Sequence, residues 1–346
     1  MKDEFVRRAP IVVAVAVALA GCGESSPATP DWSCGCESPD ATSWASESPG
    51  PVPAVDSEVP PPDETAKLVF IHHSCGENWL SDESGGLGLA LEANNYFVSD
   101  TYYGWGPYVE DIGGPIGDYT DIGHWWNWFL GPSSDEIMDA VYAESEQATW
   151  YSRGNDPGGE NEIVMFKSCF PNSNVEGSPN QSPTTGHNPL AGAGLDNLTV
   201  GNAKGIYLDL LDYFADHQDK LFVAVTAPPL IADETGPGAA ANARALNTWL
   251  VEDWLEGYPH ANVAVFDFYT VLTSNAGDPY TNDSGSADGN HHRYADGRVE
   301  YVTDQGQNTS AYAIDGDSHP SDAGNVKATL EFVPLLNWYY WRWRDG

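Results

Sequence analysis

The chain has 346 residues, with 51 acidic against 14 basic side chains and a formal charge of −37. That balance excludes a nucleic-acid backbone or an anionic membrane surface as the main partner, because both repel such a surface. At 41% hydrophobic and 12% aromatic, the chain holds ample core material, so the acidity is a solvated surface and not a sign of global disorder. Five cysteines are too few for a disulfide scaffold.

The first residues read as an address. Lys2, Arg7 and Arg8 form a positive region, and Ile11 to Ala20 an apolar stretch too short to cross a bilayer. It ends in Leu19-Ala20-Gly21-Cys22. That end resembles the lipobox of bacterial lipoproteins, which implies a signal peptide over 1–21, a lipid anchor on Cys22, and a location in the cell envelope outside the cytoplasmic membrane. Residues 22–66 read as a disordered tether: Gly23 to Ala66 holds nine prolines and nine acidic residues with no Lys or Arg. Such a segment buries too little apolar surface to offset its ordering entropy.

From Lys67 onward the pattern is that of one folded domain, 67–346. Leu68 to Ile71 is a short continuous apolar run, as in a buried parallel strand. Leu87 to Asn95 reads as a helix, Tyr96 to Val98 as a strand and Ser134 to Glu144 as a helix. Ile163 to Phe166 is the third strand and Ile206 to His217 an amphipathic helix. Leu221 to Val225 is the fourth strand, Ala239 to Glu256 a long helix, and Val263 to Phe266 the fifth strand. Residues 275–309 read as a long loop. Ser321 to Trp338 closes the chain as a helix begun by a Ser-Asp cap, and Tyr339 to Trp343 is expected to pack the C-terminus down. Strands alternating with helices predict an α/β fold on a parallel sheet.

In such sheets, sites form beyond the carboxyl ends of the strands. There the sequence places His72-His73-Ser74-Cys75-Gly76, Tyr102-Tyr103-Gly104-Trp105-Gly106, Lys167-Ser168-Cys169-Phe170-Pro171-Asn172-Ser173 and, before the last helix, Asp315-Gly316-Asp317-Ser318-His319-Pro320. The set suits acyl transfer. A serine hydroxyl, Ser74, needs a base, for which His319 is the candidate. The histidine needs a carboxylate to orient it, Asp317 or Asp315, with Asp317 preferred. The developing oxyanion needs fixed donors: the backbone N–H of Ser74, that of Gly104 (or Gly106), and the Asn172 amide.

These blocks, in this order, resemble the SGNH hydrolases, the GDSL-like serine esterase superfamily, over Lys67 to about Trp338. The resemblance implies a three-layer α/β/α sandwich with a parallel, flavodoxin-like sheet, and hydrolysis of esters with no metal and no organic cofactor. Three features depart from the family pattern, the first being that Asn172 is followed by Ser173 and not by Asp. His73 stands before Ser74 where Gly-Asp-Ser is usual, and Gly316 occupies the usual position of the acid.

Cys75 and Cys169 follow the first and third strands, neighbours in a doubly wound sheet outside the cytoplasm, which predicts a disulfide between them. Adjacent His72 and His73 should point to opposite faces and so chelate badly, and His291-His292 reads as solvated. The cluster Trp125-Trp126-Asn127-Trp128 is either a platform for a sugar ring or, preferred, an apolar plug. The expected function is thus a lipid-anchored serine esterase acting on an ester substrate, with acylated carbohydrate as the candidate. It touches the membrane through its lipid only and binds no nucleic acid. A non-catalytic, glycan-binding surface lipoprotein on the same fold is the alternative.

Overall fold

The computed structural model describes residues 59–145, 151–190, 194–274, 292–295, 298–301, 308–314 and 316–346. The signal peptide, Cys22, most of the tether, His291 and Asp315 lie outside the described residues. No helix among the described residues is long and apolar enough to cross a membrane.

Strand β1 (Ala66–Ile71) is buried at every position, its apolar run Leu68 to Ile71 as a central strand requires and Lys67 with its ammonium paired to Asp156. Helix α1 (Ser74–Leu80) and α2 (Leu87–Ala93) follow, then β2 (Tyr96–Thr101). A small antiparallel hairpin, β3 (Tyr108–Val109) and β4 (Gly114–Pro115), leads to α3 (Trp125–Phe129), α4 (Ser134–Ala143) and edge strand β5 (Ser152–Arg153). Next come β6 (Ile163–Lys167), α5 (Val200–Asp216), β7 (Leu221–Val225), α6 (Pro237–Glu252), β8 (Val263–Phe266) and α7 (Phe268–Thr273). Two further two-stranded ribbons, β9 (His292–Ala295) with β10 (Arg298–Tyr301) and β11 (Ala313–Ile314) with β12 (Asp317–Pro320), precede α8 (Asp322–Asp345).

The domain is mixed α/β around a six-stranded sheet in the order β5-β2-β1-β6-β7-β8. All neighbours are parallel except β2 with β5. Successive side chains of a strand point to opposite faces, so each central strand feeds two cores. Val69, Ile71, Val164, Phe166, Phe222 and Ala224 join one apolar cluster with residues of α3, α4, α5 and α6. Leu68, Phe70, Ile163, Met165, Leu221 and Val223 join the other, with residues of α1, α2, α7 and α8.

Three sequence expectations shift. Helix α5 starts at Val200, capped by Thr199, and not at Ile206. Gly201 and Gly205 weaken the helical pattern, yet they are there for clearance: a Cβ at Gly205 would lie 1.7 Å from the Thr184 carbonyl oxygen. Helix α8 runs unbroken through Pro334 to Asp345, so Tyr339 to Trp343 is helix and not an appended tail. The domain also begins before residue 67. The carbonyls of Val59 and Pro60 accept hydrogen bonds from Asn337 Nδ2 (3.2 Å) and Trp341 Nε1 (2.9 Å) on α8.

Candidate active site

Chain direction and strand geometry assemble the site. Beyond β1 the chain turns at His72 and His73, and Ser74 is the first residue of α1. On the other side, β12 is a strand, and residues two apart on a strand share a face. Asp317 and His319 therefore point the same way, and Ser318 the other. The Asp317 Oδ1 lies 2.7 Å from His319 Nδ1 and accepts the His319 backbone N–H at 3.0 Å. Ser74 Oγ lies 2.8 Å from His319 Nε2. A carboxylate facing Nδ1 keeps the proton on that nitrogen and leaves Nε2 to accept from the serine hydroxyl. Ser318, buried between them, accepts the Ile231 N–H at 3.0 Å and donates to Glu234, which fixes the strand from behind.

Partial burial pushes the Asp317 carboxyl up, but the His319 backbone and ring N–H groups outweigh it and hold it below the ordinary carboxylate range. The Phe170 ring stands edge-on to His319, with centroids 4.8 Å apart. The site is open: the Asp317 side chain is 43% exposed and that of His319 20%.

The expected oxyanion donors divide. At the first position of α1, the Ser74 N–H has no helical acceptor and meets none among the described residues. The Gly104 N–H donates to Asp118 Oδ1 at 2.7 Å. Asn172 sits in the 3₁₀ turn after β6, where its Oδ1 accepts the Ile122 N–H (2.8 Å) and its Nδ2 donates to Asp121 Oδ1 (2.7 Å) and the Cys169 carbonyl (3.3 Å). Two of the three candidates thus rest on carboxylates.

Cys75 and Cys169 do come together, but as free thiols, so the expected disulfide is corrected. Lys167 lies next to them. Lys167 is fully buried, and among the described residues no carboxylate lies within ion-pair distance of its Nζ. Instead Nζ reaches the Ser168 carbonyl (3.2 Å) and Cys169 Sγ (3.8 Å). A hydrogen bond from Cys75, with the Lys167 charge, holds the Cys169 thiol well below its usual range, while burial drives Cys75 up. Cys169 Sγ also lies 3.9 Å from Ser74 Oγ.

His72 is buried and holds the turn. Its Nδ1 faces the His73 carbonyl (2.8 Å) and its Nε2 faces Asp100 Oδ2 (2.9 Å), the His72 and Asp100 side chains both buried away from water. Asp100 Oδ1 accepts the Tyr151 N–H at 2.9 Å. Gly76 lies directly over the His72 ring, where a Cβ would come within 2.4 Å of its Cβ and Cγ. His73 instead bonds the Gly117 carbonyl (2.7 Å) and stacks on Tyr103, and burial lowers its pKa. No cluster of metal-ligating side chains occurs among the described residues. Trp125 and Trp128 are wholly buried in the first core, so that stretch is a plug.

Sequence reasoning gave no role to Asp100, Lys167, Asp118 or Asp121, although Lys167 stands in the block after the third strand. For the first two a signal existed: a charged residue at the end of an otherwise apolar buried strand must be paired or functional. Asp118 and Asp121 carry no such mark, because acids are abundant throughout this chain. Compared with protein-family models, curated proteins and solved structures, the chain matches none.

Proposed function

We propose that the chain is a serine esterase of the SGNH type, displayed outside the cytoplasmic membrane on a lipid carried by Cys22. The observation that carries this reading is the hydrogen-bonded line Ser74–His319–Asp317, drawn from elements 245 residues apart in sequence. In it Ser74 attacks an ester carbonyl while His319 takes its proton and later returns it to the leaving alcohol. Asp317 fixes the tautomer and stabilises the imidazolium. The Ser74 N–H is positioned as the first oxyanion donor, and Gly104 and Asn172 join once their N–H groups exchange Asp118 and Asp121 for the substrate oxygen. The two apolar clusters and the parallel strand order β2-β1-β6-β7-β8 support a three-layer α/β/α sandwich of flavodoxin-like connectivity. This chemistry requires no cofactor.

One observation favours the second reading, a glycan-binding surface lipoprotein that does not cleave. The donors of Gly104 and Asn172 are engaged within the protein. The two readings separate on a short-chain acetyl ester assayed with the full-length protein and with Ser74→Ala. Loss of a working nucleophile lowers kcat by roughly 10³-fold or more. Equal background rates in both proteins would leave the binder.

A further inference from the structure

We propose that Cys169 is a modification site, at which a small hydroperoxide converts the sulfur to a sulfenate beside Ser74. Neither cysteine takes part in the ester chemistry of Ser74, yet Cys169 Sγ stands 3.9 Å from Ser74 Oγ. Lys167 Nζ lies 3.8 Å from the same sulfur. Lys167 is wholly buried, and among the described residues its Nζ meets the Ser168 carbonyl and no carboxylate. A buried ammonium calls for a counter-charge, and the Cys169 sulfur is a group in reach that can carry one. A hydrogen bond from Cys75 acts in the same direction, and together they hold the Cys169 thiol well below its usual range.

Reach and reactivity separate the two cysteines. Cys169 keeps 9% of its surface exposed and Cys75 none. The Cys169 sulfur borders Ser74 Oγ, whose partner His319 is partly open to solvent, so a molecule the size of hydrogen peroxide arrives by the substrate's path. Burial drives the Cys75 thiol up and keeps it protonated, and the thiolate is the nucleophile. In the modification the Cys169 thiolate attacks one peroxide oxygen. An S–O bond forms and the O–O bond breaks, so sulfur gives up two electrons and the peroxide gains them. The departing hydroxide takes the proton of the new sulfenic acid, leaving a sulfenate and water. Cys75, held as a thiol, does not displace that oxygen, and oxidation stops short of a disulfide. The effect on Ser74 rests on the esterase reading. Oxygen delivered from the side of Ser74 faces Oγ, accepts the hydroxyl proton that His319 must take, and opposes the developing oxyanion with its charge.

The test uses the full-length protein. After brief exposure to hydrogen peroxide, the native protein is treated with dimedone, which captures sulfenic acids, and its peptides are weighed. The adduct is expected on Cys169 and not on Cys75. Peroxide should lower wild-type turnover of an acetyl ester by about tenfold or more, and dithiothreitol should restore it. Turnover by Cys169→Ala should be indifferent to peroxide. The adduct supports the site even if wild type cleaves no ester, a result that would sink the esterase reading alone. Absence of the adduct from Cys169, an equal adduct on Cys75, a Cys75–Cys169 cross-link in its place, or turnover that survives full sulfenylation overturns the proposal.

Discussion

Replacing Asp100 by alanine tests the foundation of the nucleophile turn. His72 and Asp100 are both 0% exposed at the side chain, and their contact is 2.9 Å long. Removing the carboxylate strands the buried His72 Nε2 and takes away an acceptor of the part-buried Tyr151 N–H. Breaking a buried pair by deleting one partner costs about 3–5 kcal/mol. Asp100→Asn is the shape-matched control. Its amide donates to Nε2 while its carbonyl accepts the Tyr151 N–H, so the expected loss is about 1 kcal/mol, one exchanged hydrogen bond. Urea unfolding followed by tryptophan fluorescence reads the difference. With a slope near 3 kcal/mol/M, the alanine variant's midpoint falls by about 1 M or more and the asparagine variant's by about 0.3 M. Equal losses in the two variants, or an alanine loss below about 1 kcal/mol, would refute the claim that this pair braces the turn.

Gly76→Ala places a methyl against the His72 ring and should destabilise the fold by about 1–3 kcal/mol, read in the same titration; no loss would mean the contact is slack. Asp317→Asn removes the group that sets the His319 tautomer, and ester turnover should fall by about 10²–10⁴-fold with substrate KM nearly unchanged. Because the folded Asp317 carboxyl lies below its ordinary range, its stabilising effect is complete above that range and is lost as pH falls through the folded value. The stability gap between wild type and Asp317→Asn should therefore close in acid, and a constant gap would contradict this. Denatured without reductant and labelled with iodoacetamide, the protein should yield alkylated peptides for both Cys75 and Cys169; a cross-linked peptide would restore the disulfide.

What the sequence disclosed was its long-period pattern. Apolar runs such as Leu221–Val225 and Val263–Phe266 name buried strands directly, because nothing else suits a stretch that must be dry on both sides. Ser74 and His319 were legible for a related reason: strand ends are where this topology exposes chain. The short elements were not. Helix α1 has seven residues and no side-chain cap, and α3 is held by Trp packing, so neither carries a periodic signature. The partners of the site were least legible of all. That Asp118 holds Gly104 and Asp121 holds Asn172 depends on loop geometry, and local spacing says nothing about it. For the cysteine pair, strand adjacency told where Cys75 and Cys169 stand but not that they are free there.

Helix α8 acts as a spacer. It starts three residues beyond His319, and the carbonyls of Val59 and Pro60 are clasped near its far end by Asn337 and Trp341. At 1.5 Å per residue, Ser321 and Trp341 lie about 30 Å apart. The clasp on residues 59 and 60 and the Ser74–His319 contact thus stand at opposite ends of one helix, so cutting the clasp should loosen the end of the domain remote from Ser74 and leave that contact in place.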